Sequence, residues 1–387
     1  MGGVFDGERY SGDGAVVLVD GERIAAVLPV GAELPPGCEV VSYEGATLLP
    51  GLIDVHVHLC CDSGPGALDR IPDFSDDEMV AVIEKSLADQ LAAGVTTVRD
   101  LGDRSWAVVD WRDRDDRSAF PTVVASGPPI TVSQGHCWNM GGAASGLDGL
   151  RSAVHERAAR GADLVKIMAS GGVNTPGTDP AAAQFSAEEL AAVVTEAHAV
   201  GLPVVAHAHS VDSIRYSLAA GVDGIEHCSF LGADGLEVVD SVVAELVSSR
   251  TTVCPTLGAR PGATPPPAVL ELMRRTGLDV TARGRLFAEL HRAGVQLVSG
   301  SDAGINPGKH HGVLPESVIA MVTGGIPTIA ALSSATSRAA NACGLGDTLG
   351  RILPDYTANL LVVPGNPTTD ITTLRHPNAV YLHGTRA

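Results

Sequence analysis

His56 and His58 stand two residues apart inside the apolar run GLIDVHVHL (51–59). Alternate residues of a strand share a face, so both imidazoles project to one side. Neutral imidazole nitrogen binds zinc and similar divalent ions, and one cation would give both buried rings a partner. More polar residues interrupt apolar runs downstream. They are Lys166 in ADLVKIMASGG (162–172), His207 and His209 in LPVVAHAHS (202–210), His227 in GVDGIEHCSF (221–230) and Asp302 in VQLVSGSDAG (295–304). Singly, each has an ordinary explanation. A buried His is usually a hydrogen-bonded core residue, a strand Lys can snorkel or pair with an acid, and an Asp in SGSDAG can serve a turn. Their recurrence along successive apolar runs favours one shared site.

The elements that must position these residues follow from the rhythm of the chain. Besides those five runs, GVTTVRDLG (94–102), PTVVASGPPIT (121–131) and TTVCPTLGA (251–259) read as strands, which makes eight. Between them, SDDEMVAVIEKSLADQLAAG and SAEELAAVVTEAHAVG have helical spacing, open on a Ser that can cap, and end at a Gly. Eight strand–helix units predict an α/β fold, a (β/α)8 TIM barrel over residues 51–344. In such barrels the chemistry sits at the C-terminal ends of the strands, where the unusual residues fall. Residues 1–50 and 345–387 read as β structure. GAVVLVDGERIAAVLPV suggests a hairpin turning at Asp20-Gly21, and TANLLVVPGNP and NAVYLHG suggest strands near the other end. Both ends are expected to build one small β-sandwich domain beside the barrel. ARPGATPPPAV (259–269) is expected to be a loop after the seventh strand.

Composition narrows the partners. The 387-residue chain carries a net charge of −19, which disfavours nucleic acid, since phosphate binding needs a basic face. Seven cysteines, without a CxxC, do not make a disulfide framework. No apolar run approaches membrane-spanning length, and MGGVFDGERY resembles neither a signal nor a transit peptide. The expectation is a cytoplasmic protein with a small-molecule substrate and no membrane or nucleic-acid partner. A homo-oligomer is compatible with this, but nothing in the sequence sets a number.

GLIDVHVHL, VKIMASGG, VVAHAHS, IEHC and SGSDAG, in this order, resemble the amidohydrolase superfamily of metal-dependent hydrolases. Within it, the resemblance is to the imidazolonepropionase-like and Xaa-Pro-dipeptidase-like branch. It spans nearly the whole chain, GRILPDYTANLLVV included. It implies that His56 and His58 are first-strand metal ligands and that His207 and His227 hold a second metal. It implies that Lys166 is carboxylated and bridges the two, and that Asp302 is both ligand and proton shuttle. Two divalent ions are expected, zinc first, with manganese, iron or cobalt as alternatives. A metal pair would acidify a water and polarise an amide carbonyl, and a carbamate between the ions would offset their repulsion. With a single metal, His227 would instead polarise the carbonyl. By strand parity His209 faces the same way as His207, either supporting a ligand from behind or facing the substrate.

The resemblance also implies substrate contacts. His136 lies in a Gly-His loop (TVSQGHCWNMGG, 131–142), and His311 in NPGKHHGVLPES (306–317), where His310 replaces the family's proline. Arg260 is the candidate for holding a substrate carboxylate, in a stretch without the tyrosine seen in dipeptidase-like members. The acidic loop 62–78 could favour a cationic substrate or be a solvated lid. Cys60 and Cys61, next to the HxH strand, read as core thiols rather than a third ligand. Deaminases of the superfamily carry HxxE at the fifth strand, and here Ser210 stands in the place of that Glu. The expected reaction is therefore hydrolysis of a C–N bond in an Xaa-Pro or N-acyl amino acid, or in a cyclic amide. The rivals are a mononuclear, imidazolonepropionase-like hydrolase in which Lys166 is not a ligand, and a non-catalytic barrel.

Overall fold

The computed structural model describes residues 2–387. Seven of the eight apolar runs carry a strand. Leu52–Val57, Val95–Asp100 and Thr122–Ala125 form one parallel sheet in that order. Val165–Met168, Val204–Ser210, Gly224–Gly232 and Thr252–Cys254 form a second parallel sheet, with Gly235–Leu236 folding back antiparallel on the third of these. Their side chains are buried on both faces almost throughout, which is why the runs are continuously apolar rather than alternating.

The eighth run, 295–304, is not a regular strand. It makes only isolated parallel bridges, Val253↔Leu297 on one side and Val57↔Ala303 on the other. The reason is local. Asp302 has φ 60° and Gly304 φ 106°, so the backbone leaves the extended region twice in three residues. Asp54 also claims the Ser301 backbone, accepting from its N–H at 2.9 Å and from its hydroxyl at 2.5 Å. The segment still lies between its neighbours. Val298 N–H donates to Val253 O (3.0 Å), Val55 N–H to Ser299 O (3.2 Å) and Asp302 N–H to His56 O (2.8 Å).

Helices alternate with these strands and turn their apolar stripes inward. Helix Asp76–Ala92 buries Met79, Ile83, Leu87 and Gln90, and helix Ala187–Ala199 buries Leu190, Val193, Val194 and Ala197. Each opens with a capping box, Ser75 with Glu78 and Ser186 with Glu189. In each box the Ser hydroxyl accepts from the Glu backbone N–H and the Glu carboxylate accepts from the Ser N–H, satisfying two orphan donors of the first turn. The expected loop of 259–269 is shorter, since helix Pro267–Thr276 begins at a proline suited to a first turn.

Strands from the two chain ends share one six-stranded sheet. Its order is Thr385–Arg386, Ala379–Leu382, Leu360–Pro364, Ala46–Pro50, Gly3–Phe5, Tyr10–Ser11. The hairpin Val16–Asp20/Arg23–Leu28 packs Ile24 and Val17 against Val4, Leu48, Leu360 and Val362 of that sheet. Asp20 pairs with Arg23, so the turn is Gly21-Glu22 rather than Asp20-Gly21, with Gly21 at φ 54°.

Candidate metal centre

His56 lies near the end of strand Leu52–Val57, and His58 follows it. One ring nitrogen of each is already engaged. His56 Nδ1 donates to Glu226 Oε2 (2.7 Å), and His58 Nδ1 donates to Gly102 O (3.2 Å). With Nδ1 engaged, Nε2 is the nitrogen each ring would offer a metal. Burial opposes charge on His58, but Asp302 outweighs it and raises its pKa to about 9, so a metal bound there displaces a proton. Each Nε2 stands 3.4 Å from Asp302 Oδ1. Donors about 2.1 Å from a tetrahedral ion are about 3.4 Å apart, so these spacings suit one divalent cation.

A second triad comes from the neighbouring sheet. Ligand atoms of His207, His209 and His227 lie within 4.8 Å of one another, as do those of His56, His58 and Asp302. His207 Nε2 donates to Gly171 O (3.1 Å), which leaves Nδ1 free. His227 Nδ1 is hydrogen-bonded to Thr256 Oγ1 (2.8 Å), and His209 Nδ1 to Ser229 Oγ (2.9 Å). The His209 and His227 rings stack with centroids 4.5 Å apart. The backbone that places them is strained: His227, Cys228, Phe230 and Thr256 all have φ between 44° and 68°. Non-glycine residues in that region are uncommon and cluster at functional sites.

Lys166, on strand Val165–Met168, is buried, and its Nζ has no hydrogen-bond partner among the described residues. Burial pushes its pKa down to about 8. An orphaned buried amine near neutrality is the species that carbon dioxide converts to a carbamate, an anion fit to lie between two cations. Burial likewise holds His136 and His209 at about 3, and puts His207 and His227 well below their usual range. These imidazoles are neutral at physiological pH, the form that binds metal. Burial opposes charge on Asp302, but His56 and His58 outweigh it and hold the carboxyl well below its usual range. The donor set fits divalent ions.

These groups line a cavity of about 220 Å³. His136 also lines it, 4.5 Å from the His207 ring, with Nδ1 on Thr175 Oγ1 (2.9 Å). Gly172 makes room for it, since a Cβ there would lie 2.4 Å from the ring. Two expected contacts fall elsewhere. Arg260 is exposed and outside the cavity lining, because its loop meets Gly308 through backbone instead. His311 is buried away from the lining, with Nε2 donating to Cys61 O (2.9 Å), which ties its loop to the first-strand loop. Cys60 and Cys61 are buried outside the lining, and the acidic loop contributes only Leu68 to it.

Four residues are additions. Glu226 and Arg99 form a buried ion pair behind His56 (3.1 Å), and Arg283 and Lys309 reach the cavity from a helix and a turn. An acid within the apolar strand GIEHC was the available signal for Glu226.

The Amidohydrolase family model matches residues 47–386. The chain belongs to this family. It is a hydrolase acting on C–N bonds, and membership of the amidohydrolases implies use of a divalent metal. An ochratoxinase of Aspergillus niger is 26% identical over 416 residues, covering 97% of this chain and 84% of that protein. The solved structure of an Xaa-Pro dipeptidase with bound methionine superposes with TM-score 0.87 at 26% identity, covering 100% and 98% of the two chains. A prolidase complexed with N-methylphosphonate-L-proline gives TM-score 0.85 at 28% identity, covering 100% and 98%. These amidohydrolases share the α/β fold described above. Among the described residues no helix is long and apolar enough to cross a membrane.

Proposed function

We propose that this amidohydrolase is a binuclear, zinc-dependent enzyme that cleaves an amide or cyclic-amide bond of a small molecule. The observation that carries the reading is the buried, unpartnered Lys166 Nζ in one cavity with two donor triads. His56, His58 and Asp302 would hold one ion, and His207 and His227 the other. Lys166 would bridge them as a carbamate, formed when its neutral Nζ bonds to carbon dioxide and releases one proton. When bound, the two ions would acidify a water and polarise the scissile carbonyl. Asp302, ionised at neutral pH, takes the proton of the attacking water and returns it to the leaving nitrogen. Thr256 orients His227 through Nδ1, and His136 and His209 face the substrate from the cavity wall.

The architecture we assign is a closed (β/α)8 barrel over 51–344, flanked by a β-sandwich domain from 1–50 and 345–387. Hydrogen bonds at both gaps between the parallel sheets support closure. The run 295–304 is bonded to both neighbours, and Ile130 N–H donates to Lys166 O (2.8 Å).

The Xaa-Pro dipeptidase and the prolidase favour an Xaa-Pro dipeptide as substrate over a cyclic amide, with an N-acyl amino acid as the alternative. A mononuclear enzyme is the second reading, favoured by one observation: His56, His58 and Asp302 complete a triad for one ion without Lys166. The test is hydrolysis of a panel of Xaa-Pro dipeptides and N-acyl amino acids by chain stripped with a chelator and then reloaded with zinc. Activity should vanish on stripping and return on reloading. A zinc-loaded chain that cleaves no C–N bond in the panel contradicts the reading.

A further inference from the structure

Two backbone positions at the candidate centre are strained. Thr256 has φ 47° and Asp302 φ 60°. Positive φ is a genuine outlier for a β-branched residue such as threonine, and it persists only where the surroundings enforce it. Thr256 Oγ1 holds His227 Nδ1 (2.8 Å), so the backbone of Thr256 sets where that imidazole points. Asp302 Oδ1 stands 3.4 Å from Nε2 of both His56 and His58, so its own backbone sets where that carboxylate stands.

Two cations hold the peptide planes that flank these residues. Arg283, on helix Val280–Ala293, donates Nη2 to Pro255 O (2.7 Å), on the peptide that enters Thr256. Lys309, in the turn Pro307–Lys309, donates Nζ to Thr256 O (2.7 Å), on the peptide that leaves it. The same Nζ donates to Ser301 O (2.9 Å), on the peptide that enters Asp302. Among the described residues no backbone N–H donates to these three carbonyls, so the two side chains are their donors. Pro255, Thr256 and Ser301 are buried, and a buried carbonyl without a donor is costly. A peptide plane fixed at its oxygen also resists swinging back to an ordinary φ. The lysine is itself aimed by its turn. Asn306 Oδ1 accepts from the Gly308 and Lys309 N–H groups (2.9 and 3.2 Å), and Gly304 N–H donates to Lys309 O (2.7 Å).

We propose that Arg283 and Lys309 are positioning residues: together they clamp Thr256, and through it His227, while Lys309 also fixes Asp302 from the side of Ser301. Both roles rest on the reading of His227 and Asp302 as metal ligands. The sign of one effect separates a clamp from simple electrostatics. A cation beside divalent ions repels them, so if these side chains acted only through their charge, removing either would tighten zinc binding. If they act by holding the backbone, removing either weakens it.

The experiment is zinc affinity of the full chain, by competition with a chromophoric chelator, for wild type, Lys309→Met and Arg283→Met. Each variant should bind zinc about ten- to a hundredfold more weakly, the usual loss when a group that orients a ligand is removed. The visible absorption of the cobalt-loaded chain, which reports ligand geometry, should shift in both. Lys309→Gln keeps an N–H donor without the charge. It should hold part of the affinity, and it serves in place of Lys309→Met if that variant does not fold. Arg283 reaches the centre only through Thr256, so in a Thr256→Val background, which lacks the hydroxyl, Arg283→Met should cost less than about twofold. Zinc affinity equal to or tighter than wild type in the Lys309 and Arg283 variants overturns the clamp. So does a full loss from Arg283→Met in the Thr256→Val background, since the arginine would then act elsewhere. A wild type that binds no zinc removes the metal-centre reading and the clamp with it, whereas wild-type binding with unaffected variants removes the clamp alone.

Discussion

Replacing Glu226 tests how the candidate centre is held. Glu226 and Arg99 are 1% and 3% exposed. Each carboxylate oxygen has a partner, Oε2 at 2.7 Å from His56 Nδ1 and Oε1 at 3.1 Å from Arg99 Nη2. Burial alone would raise this carboxyl, but His56 and Arg99 overcome it and bring it from 4.5 to about 2. The folded state binds this proton more weakly than the unfolded state. The stabilisation is therefore full above about pH 4.5 and is lost as pH falls towards about 2. His56 itself is pushed below its usual range, burial outweighing Glu226, so it pairs as a neutral donor and Arg99 is the charge that needs the carboxylate. Glu226→Ala leaves Arg99 buried and unpaired and should cost about 3–5 kcal/mol. Glu226→Gln should cost about 2–3 kcal/mol, because one carbonyl still accepts. If the Gln amide donates to His56 Nδ1, the ring proton moves to Nε2 and blocks that nitrogen as a ligand. Zinc affinity should then fall about ten- to a hundredfold. Urea unfolding of metal-free protein at neutral pH reads the first effect, and competition with a chromophoric chelator reads the second. Glu226→Gln with wild-type unfolding and wild-type zinc affinity would refute this reasoning.

Gly300→Ala should destabilise by about 1–3 kcal/mol and weaken zinc binding, because its Cβ would sit 2.7 Å from Cys254 Sγ and His56 Cβ and 2.9 Å from the His56 backbone nitrogen; unfolding and metal titration check both. Asp103 is raised from 3.8 to about 7 chiefly by burial, with Asp100 adding to it, so the folded chain binds this proton more tightly and its contribution to stability declines as pH rises across that window. Asp103→Asn should remove that slope while keeping an acceptor for the Val108 and Val109 N–H groups, as unfolding measured from pH 4 to 8 would show. Free zinc at a hundred times its dissociation constant should stabilise the folded chain by about 2.7 kcal/mol per site over the chelator-treated form, seen as a rise in Tm.

Part of the candidate centre is legible in the sequence through short-range rules, while the grouping of Lys166, His227 and Asp302 with the other histidines rests on the family resemblance. Strand parity places His56 with His58 and His207 with His209, and the Ser-x-x-Glu boxes mark two helix starts. The difficulties begin where the backbone departs from ideal strands. The run 295–304 has a strand-like composition, yet Asp302 and Gly304 take positive φ and Asp54 captures Ser301. Arg260 was the conspicuous cation of its loop, but the fold turns it outward and brings in Arg283 from the next helix but one and Lys309 from a distant turn. A cation's reach into a cavity depends on tertiary packing, which spacing along the chain does not encode. Glu226 adjoins His227, and strand parity alone would turn it away from the site. It supports the centre from behind, through His56, and that pairing crosses from one sheet to the other.

The central claim is that Lys166 bridges two ions. Elemental analysis of metal per chain, on wild type and Lys166→Ala purified with bicarbonate and zinc, tests it most directly. The account predicts about two ions in wild type and one or fewer in the variant. About one ion in both proteins would contradict the bridge and leave the mononuclear reading.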